Sequence, residues 1–113
     1  MDLEGTARCL AELGNVWRLR LFALLVRAGR DGLTITELRN ELGMPASTLA
    51  HHLRGMVAGG VVTQERQGRE VRCRPDFKLI EAAWAYFRDE CCKGAPSTTT
   101  RVALPARRGT AAR

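Results

Sequence analysis

Apolar positions along the chain fall into five stretches of helical period, with two short β-prone segments before the last. Leu3, Ala7, Leu10 and Ala11 mark a first helix over 3–13, broken by Gly14-Asn15. Trp17, Leu21, Leu24 and Leu25 share a face of a second helix over 16–28. Leu19, Phe22 and Val26 make it apolar almost all round, which suits the centre of a small domain. Thr34 and Glu37 have capping-box spacing and open a third helix with Ile35, Leu38 and Leu42 on its apolar side. Gly43-Met44-Pro45 stops it. A fourth helix follows at once, Ala46 to Ala58, and Gly59-Gly60 ends it. Val61 to Arg66 and Glu70 to Arg74 flank Gln67-Gly68-Arg69 and predict a β-hairpin. The last helix is predicted over 77–92, with a heptad-like seam of Ile80, Trp84, Phe87 and Cys91.

The fourth helix carries two chemistries. Leu49, Leu53, Met56 and Val57 form an apolar side, whereas Ser47, Thr48, Ala50, His51 and Arg54 are mostly on the other. A helix that enters the major groove needs a side small and polar enough to approach the bases and a side that packs on its own domain. The glycine turn before it permits the tight corner of a helix-turn-helix. The hairpin adds Arg66, Arg69, Arg72 and Arg74 against Glu65 and Glu70. Arginines on such a wing reach phosphates, which fixes position rather than sequence. The expected fold is mainly α with a β-hairpin wing, a winged helix-turn-helix of order α-α-α-α-β-β-α. DNA contacts are assigned to Ser47, Thr48, His51, Arg54, Arg66 and Arg69. His52 is expected to be buried and hydrogen-bonded.

Composition refines this picture in three ways. The length of 113 residues, 45% of them apolar, suits one small domain. The longest apolar run, Leu21 to Val26, is too short to span a bilayer, and the start of the chain lacks a signal-peptide layout, so a cytoplasmic protein is expected. The net charge of +6 is concentrated at the end: 93–113 hold five basic residues and no acid, while 1–92 hold 13 basic and 12 acidic side chains. DNA binding therefore calls for a local basic patch. The chain divides into a DNA-binding and dimerisation domain over 1–92 and a basic tail over 93–113 that is expected to be disordered. No acid/base pair, nucleophile constellation or phosphate loop points to an enzyme.

Residues 13–74 resemble the arsenic-repressor (ArsR/SmtB) family. The matching segments are Trp17-Arg18-Leu19-Arg20-Leu21-Phe22, Leu38 through Leu42-Gly43-Met44, Ser47-Thr48-Leu49-Ala50-His51-His52-Leu53, Gly60-Val61-Val62 and Gly68-Arg69. The resemblance implies a homodimer, with Ile80, Trp84 and Phe87 at its interface, that occupies double-stranded operator DNA and leaves when an inducer binds. Three positions depart from the family pattern: Ala50 stands where serine is common, Cys73 where an aromatic is common, and Gly55 interrupts the recognition helix at a cost in helix propensity.

The cysteines, Cys9, Cys73, Cys91 and Cys92, bear on the inducer. Soft thiolates select thiophilic ions such as trivalent arsenic or antimony, and also bind zinc. Adjacent Cys91 and Cys92 reach one large ion if the helix end frays, and Lys93-Gly94-Ala95-Pro96 favours fraying. The pair resembles that of arsenite-responsive family members with thiols at the end of the last helix. No cofactor is expected beyond arsenite or antimonite as inducer. Cys73 lies roughly 25 Å from Cys91 within one subunit, so Cys9, including Cys9 of the partner subunit, is the better third ligand. Two alternatives remain open here: a redox switch through a Cys9–Cys91 or Cys9–Cys92 disulfide, and a DNA-binding module without an inducer.

Overall fold

A computed structural model describes residues 1–94. Of the tail expected to be disordered, 95–113 lie outside the described residues. The helices are α1 (Leu3–Leu13), α2 (Val16–Ala28), α3 (Ile35–Leu42), α4 (Ala46–Ala58) and α5 (Phe77–Glu90); the strands are β1 (Leu33–Thr34), β2 (Val62–Gln67) and β3 (Glu70–Pro75). Local chemistry sets the helix starts. Asp2 caps α1, Asn15 caps α2 by accepting from Trp17 and Arg18, and Asp76 caps α5. Thr34 and Glu37 form the expected capping box on α3, each side chain bonding the other's backbone N–H.

The sheet has three antiparallel strands in the order β1-β3-β2, not the two expected. The added strand pairs Leu33 with Cys73 and Thr34 with Arg72, so the same threonine that caps α3 also ties it to the wing. A two-residue strand has no periodicity of its own to read. The hairpin register, Val62 with Pro75 through Gln67 with Glu70, leaves a two-residue turn at Gly68-Arg69. Gly68 has φ +66° and Arg69 does not share that region, which fits a type II′ turn with glycine first.

The core gathers on α2 and α4. Leu21, Leu25, Leu38, Leu49, Met56, Val61 and Val62 are essentially sealed from solvent. Each such side chain contributes about 1.5–3 kcal/mol by burial. Cys9 from α1, Cys73 from β3 and Ala83 from α5 complete the cluster. Helix α5 ends at Glu90, two residues before the expected boundary: Cys91 is extended (φ −61°, ψ 129°) and Cys92 is left-handed (φ +67°). No helix among the described residues is long and apolar enough to cross a membrane.

Candidate nucleic-acid interface and thiol pair

Helices α3 and α4 meet through Gly43-Met44-Pro45. Gly43 is left-handed (φ +66°, ψ 21°) and Pro45 is extended, so the chain turns a corner within three residues. Glycine makes the first of these conformations cheap, and proline ends one helix while starting the next. The resulting α4 separates its two chemistries, except that Val57, expected on the apolar side, is exposed because it lies at the edge of the face that packs on the domain. Leu49, His52, Leu53 and Met56 are buried, while Ser47, Thr48, His51 and Arg54 are exposed on the opposite side. Ala50 is half-buried at the border. No side chain caps the start of α4, so its first N–H groups remain available to an anion.

The wing divides its four arginines into two pairs. Arg72 donates to the Gln67 side chain (2.9 Å) and to the carbonyl of Asp31 (3.1 Å). Arg74 donates to the carbonyl of Arg30 (3.1 Å) and pairs with Glu65 (2.5 Å). The Arg74 guanidinium holds the Glu65 carboxyl below its ordinary range, first by hydrogen bonding and then by charge. These two arginines strap the wing to the turn after α2. Arg66 on β2 and Arg69 at the tip are exposed and make no side-chain hydrogen bond or ion pair among the described residues. Sequence alone had not separated the pairs, because the carbonyls that occupy Arg72 and Arg74 lie more than forty residues away.

Behind α4 lies an arrangement that sequence reasoning missed. Arg18, near the start of α2, pairs with Glu12 near the end of α1 (2.5 Å) and donates from Nε to Nδ1 of His52 on α4 (3.3 Å). An imidazole nitrogen that accepts carries a lone pair, so His52 is neutral here with its proton on Nε2. Burial first, then the charges of Arg18 and His51, push its pKa below the ordinary imidazole value. A Cβ on Gly55 would meet the Arg18 guanidinium at 2.9–3.0 Å, and one on Gly59 would meet Cγ of Glu12 at 2.2 Å. The ion pair is therefore laid across two glycines one turn apart. Glycine inside a helix costs about 0.8–1 kcal/mol relative to alanine, and that cost at Gly55 is the signal in the sequence that something packs there.

The last helix shows its seam to solvent. Trp84 is 64% exposed and Phe87 47%, while Ile80 is half-buried. Together with Leu10, Leu13, Leu19 and Phe22 they line a continuous apolar groove across α1, α2 and α5. Beyond α5, the sulfurs of Cys91 and Cys92 stand 3.3 Å apart, both side chains exposed. The turn that ends the helix brings them together, where a continued helix would point adjacent side chains about 100° apart. Lys93 pairs with Glu90.

The other thiols are elsewhere. Cys9 is 1% exposed, and burial first and then the charge of Asp76 push its thiol pKa up. Cys9 is a free, buried thiol, while Cys91 and Cys92 are exposed. Cys73 is fully buried in the sheet, accepts from Gln64 (3.6 Å), and has its pKa raised by that burial. Among the described residues no three His, Cys, Asp or Glu side chains cluster as metal ligands.

Residues 13–65 match the model of a helix-turn-helix domain family. A search of curated proteins gives no match. Solved structures do match. An ArsR-like transcriptional regulator from Rhodococcus sp. RHA1 is 23% identical, with 77% of this chain and 79% of that one covered and a TM-score of 0.68. The transcriptional repressor PagR of Bacillus anthracis is 27% identical over 74% of this chain and 94% of its own, with a TM-score of 0.61. A possible transcriptional regulator for arsenical resistance is also 27% identical, over 72% and 81%, with a TM-score of 0.60.

Proposed function

We propose, for a chain that carries a helix-turn-helix domain and the winged-helix fold of ArsR-family transcriptional regulators, that it is a DNA-binding transcriptional repressor. The observation that carries this is the two-sided α4, with Ser47, Thr48, His51 and Arg54 exposed on one side and its apolar side buried. Ser47 and Thr48 at its start, with unpaired backbone N–H groups, meet a phosphate; His51 and Arg54 reach base edges. Arg66 and Arg69 hold the flanking backbone. Two chains join through the groove that displays Trp84 and Phe87, setting their recognition helices about one DNA turn, or 34 Å, apart.

The inducer on this proposal is trivalent arsenic or antimony, held by Cys91 and Cys92. The sulfur spacing of 3.3 Å and the exposure of both thiols support it, as does the likeness to a possible regulator for arsenical resistance. Cys9 is sealed away, so a ligand from solvent fills the third position. Release requires that the ion bind the DNA-free arrangement better than the bound one, and a coupling of roughly 1–3 kcal/mol suffices.

The test begins with a duplex that the wild-type protein selects from a randomised pool, followed by fluorescence anisotropy. Arsenite should release the wild type and leave the Cys91→Ser, Cys92→Ser double variant bound. Release of that variant at the wild-type midpoint would place the inducer site elsewhere. Release by mild peroxide but not by arsenite or antimonite would make the pair a redox switch.

A further inference from the structure

The Glu12–Arg18 pair does more than join α1 to α2. It is only partly exposed, at 25% of the Glu12 side chain and 19% of Arg18, and it rests on the backbone of α4 and its cap, where Gly55 and Gly59 provide no Cβ. Its third contact is the neutral His52 ring, on the same strip of α4. A recognition helix with alanine at 55 would be intrinsically the better helix, whereas Gly59 is the residue that caps its end. Gly55 thus trades helix propensity for contact between α4 and one ion pair, and Gly59 leaves room for Glu12 at the helix end.

We infer that Arg18, braced by Glu12 on Gly55 and Gly59 and bonded to neutral His52, is a positioning residue that sets the angle at which Ser47, Thr48, His51 and Arg54 meet the operator. The inference rests on the DNA-binding proposal above. It assigns to the α1–α2 corner a hold on the recognition helix, and α1 is also a wall of the apolar groove. A shift of α1 against a second copy is thereby transmitted to α4 through one ion pair. It also gives DNA binding an acid limit. Protonated His52 cannot accept from Arg18, and its charge opposes the guanidinium. The charged and titratable groups facing His52 are Arg18 from α2, Glu12 from α1 through Arg18, and His51 on α4 itself; β2 meets the same core with buried Val62. The contact is intact above the ordinary imidazole range and is lost as pH falls through the lowered value.

The experiment measures affinity for the wild-type-selected duplex at fixed salt, between about pH 8 and about pH 5.5, for the wild type, Gly55→Ala, Glu12→Gln and His52→Asn. Gly55→Ala should displace the flexible end of Arg18 and weaken binding about ten-fold, the scale of a lost charge-assisted hydrogen bond, while melting no earlier than wild type. Glu12→Gln should weaken binding similarly. Asn at 52 places an acceptor near the Nδ1 position without a titrating ring. The ratio of wild-type to His52→Asn affinity should therefore fall with acid. Wild-type affinity in Gly55→Ala and Glu12→Gln, or an acid profile of His52→Asn parallel to wild type, overturns the inference alone. A wild type that selects no duplex overturns the DNA-binding proposal, and this inference with it.

Discussion

Helices α4 and α5 are nearly the same length and both amphipathic, yet they leave opposite faces to solvent. In α4 most of the apolar side lies inside the chain, on Leu49, Leu53 and Met56, and the exposed side carries the hydroxyls of Ser47 and Thr48, the imidazole of His51 and the guanidinium of Arg54, with Val57 at its margin 38% exposed. In α5 only Ala83 is buried, and the outside displays Trp84 and Phe87. The first is a finished piece of core with a polar surface suited to a polyanion. The second is half of a core. An exposed aromatic pair continuous with Leu10 and Leu19 needs a complementary apolar surface, and a second copy of the chain supplies one by symmetry. On the proposal above, the contrast assigns one helix to recognition and another to association.

Substitutions on the two helices should therefore fail in different ways. Leu53→Ala, inside the finished core, should cost about 2–5 kcal/mol of folding stability in urea denaturation; a loss below about 1 kcal/mol would mean that α4 packs less tightly than its burial indicates. Trp84→Glu should leave the fold intact by circular dichroism but shift sedimentation to the monomer. Operator affinity should then drop about 100-fold as the second half-site contact is lost. A Trp84→Glu dimer would move the interface off α5. The smallest effect separates the wing arginines. Arg69→Ala should reduce the slope of log affinity against log salt by about one, whereas Arg74→Ala, already bound to Glu65 and the Arg30 carbonyl, should leave the slope unchanged. Equal slopes for the two variants would remove the distinction between strap and contact.

Local chemistry was legible in the sequence; juxtaposition was not. The bounds of α1, α2 and α4 follow from apolar period and from breaks such as Gly14-Asn15 and Gly59-Gly60, signals that lie within a few residues of what they control. The separation of Ser47 and His51 from Leu49 and Leu53 follows from helix geometry alone. The strand β1 escaped because two residues carry no pattern and its pairing depends on Cys73 forty residues on. The end of α5 was misplaced because nothing in Glu90-Cys91-Cys92 forbids another turn of helix. The seat of Arg18 escaped because His52 lies 34 residues away, although Gly55 already stood out as a costly helix residue. That Cys9 is buried while Cys91 and Cys92 are exposed depends on how α1 packs on α5, which no spacing rule supplies.

The split of α4 into two sets of positions bears on how such a protein changes over evolutionary time. The positions that face outward, 47, 48, 51 and 54, share no member with those that are buried or lie under the ion pair, 49, 52, 53, 55, 56 and 59. On the DNA-binding proposal, operator preference can drift through the first set while folding is untouched, so a duplicated copy can acquire a new target without passing through an unstable intermediate. Redesign faces the same partition. A foreign reading surface can be written onto this helix four side chains at a time, but a foreign helix grafted whole would bring Cβ atoms at 55 and 59 and unseat Arg18 and Glu12.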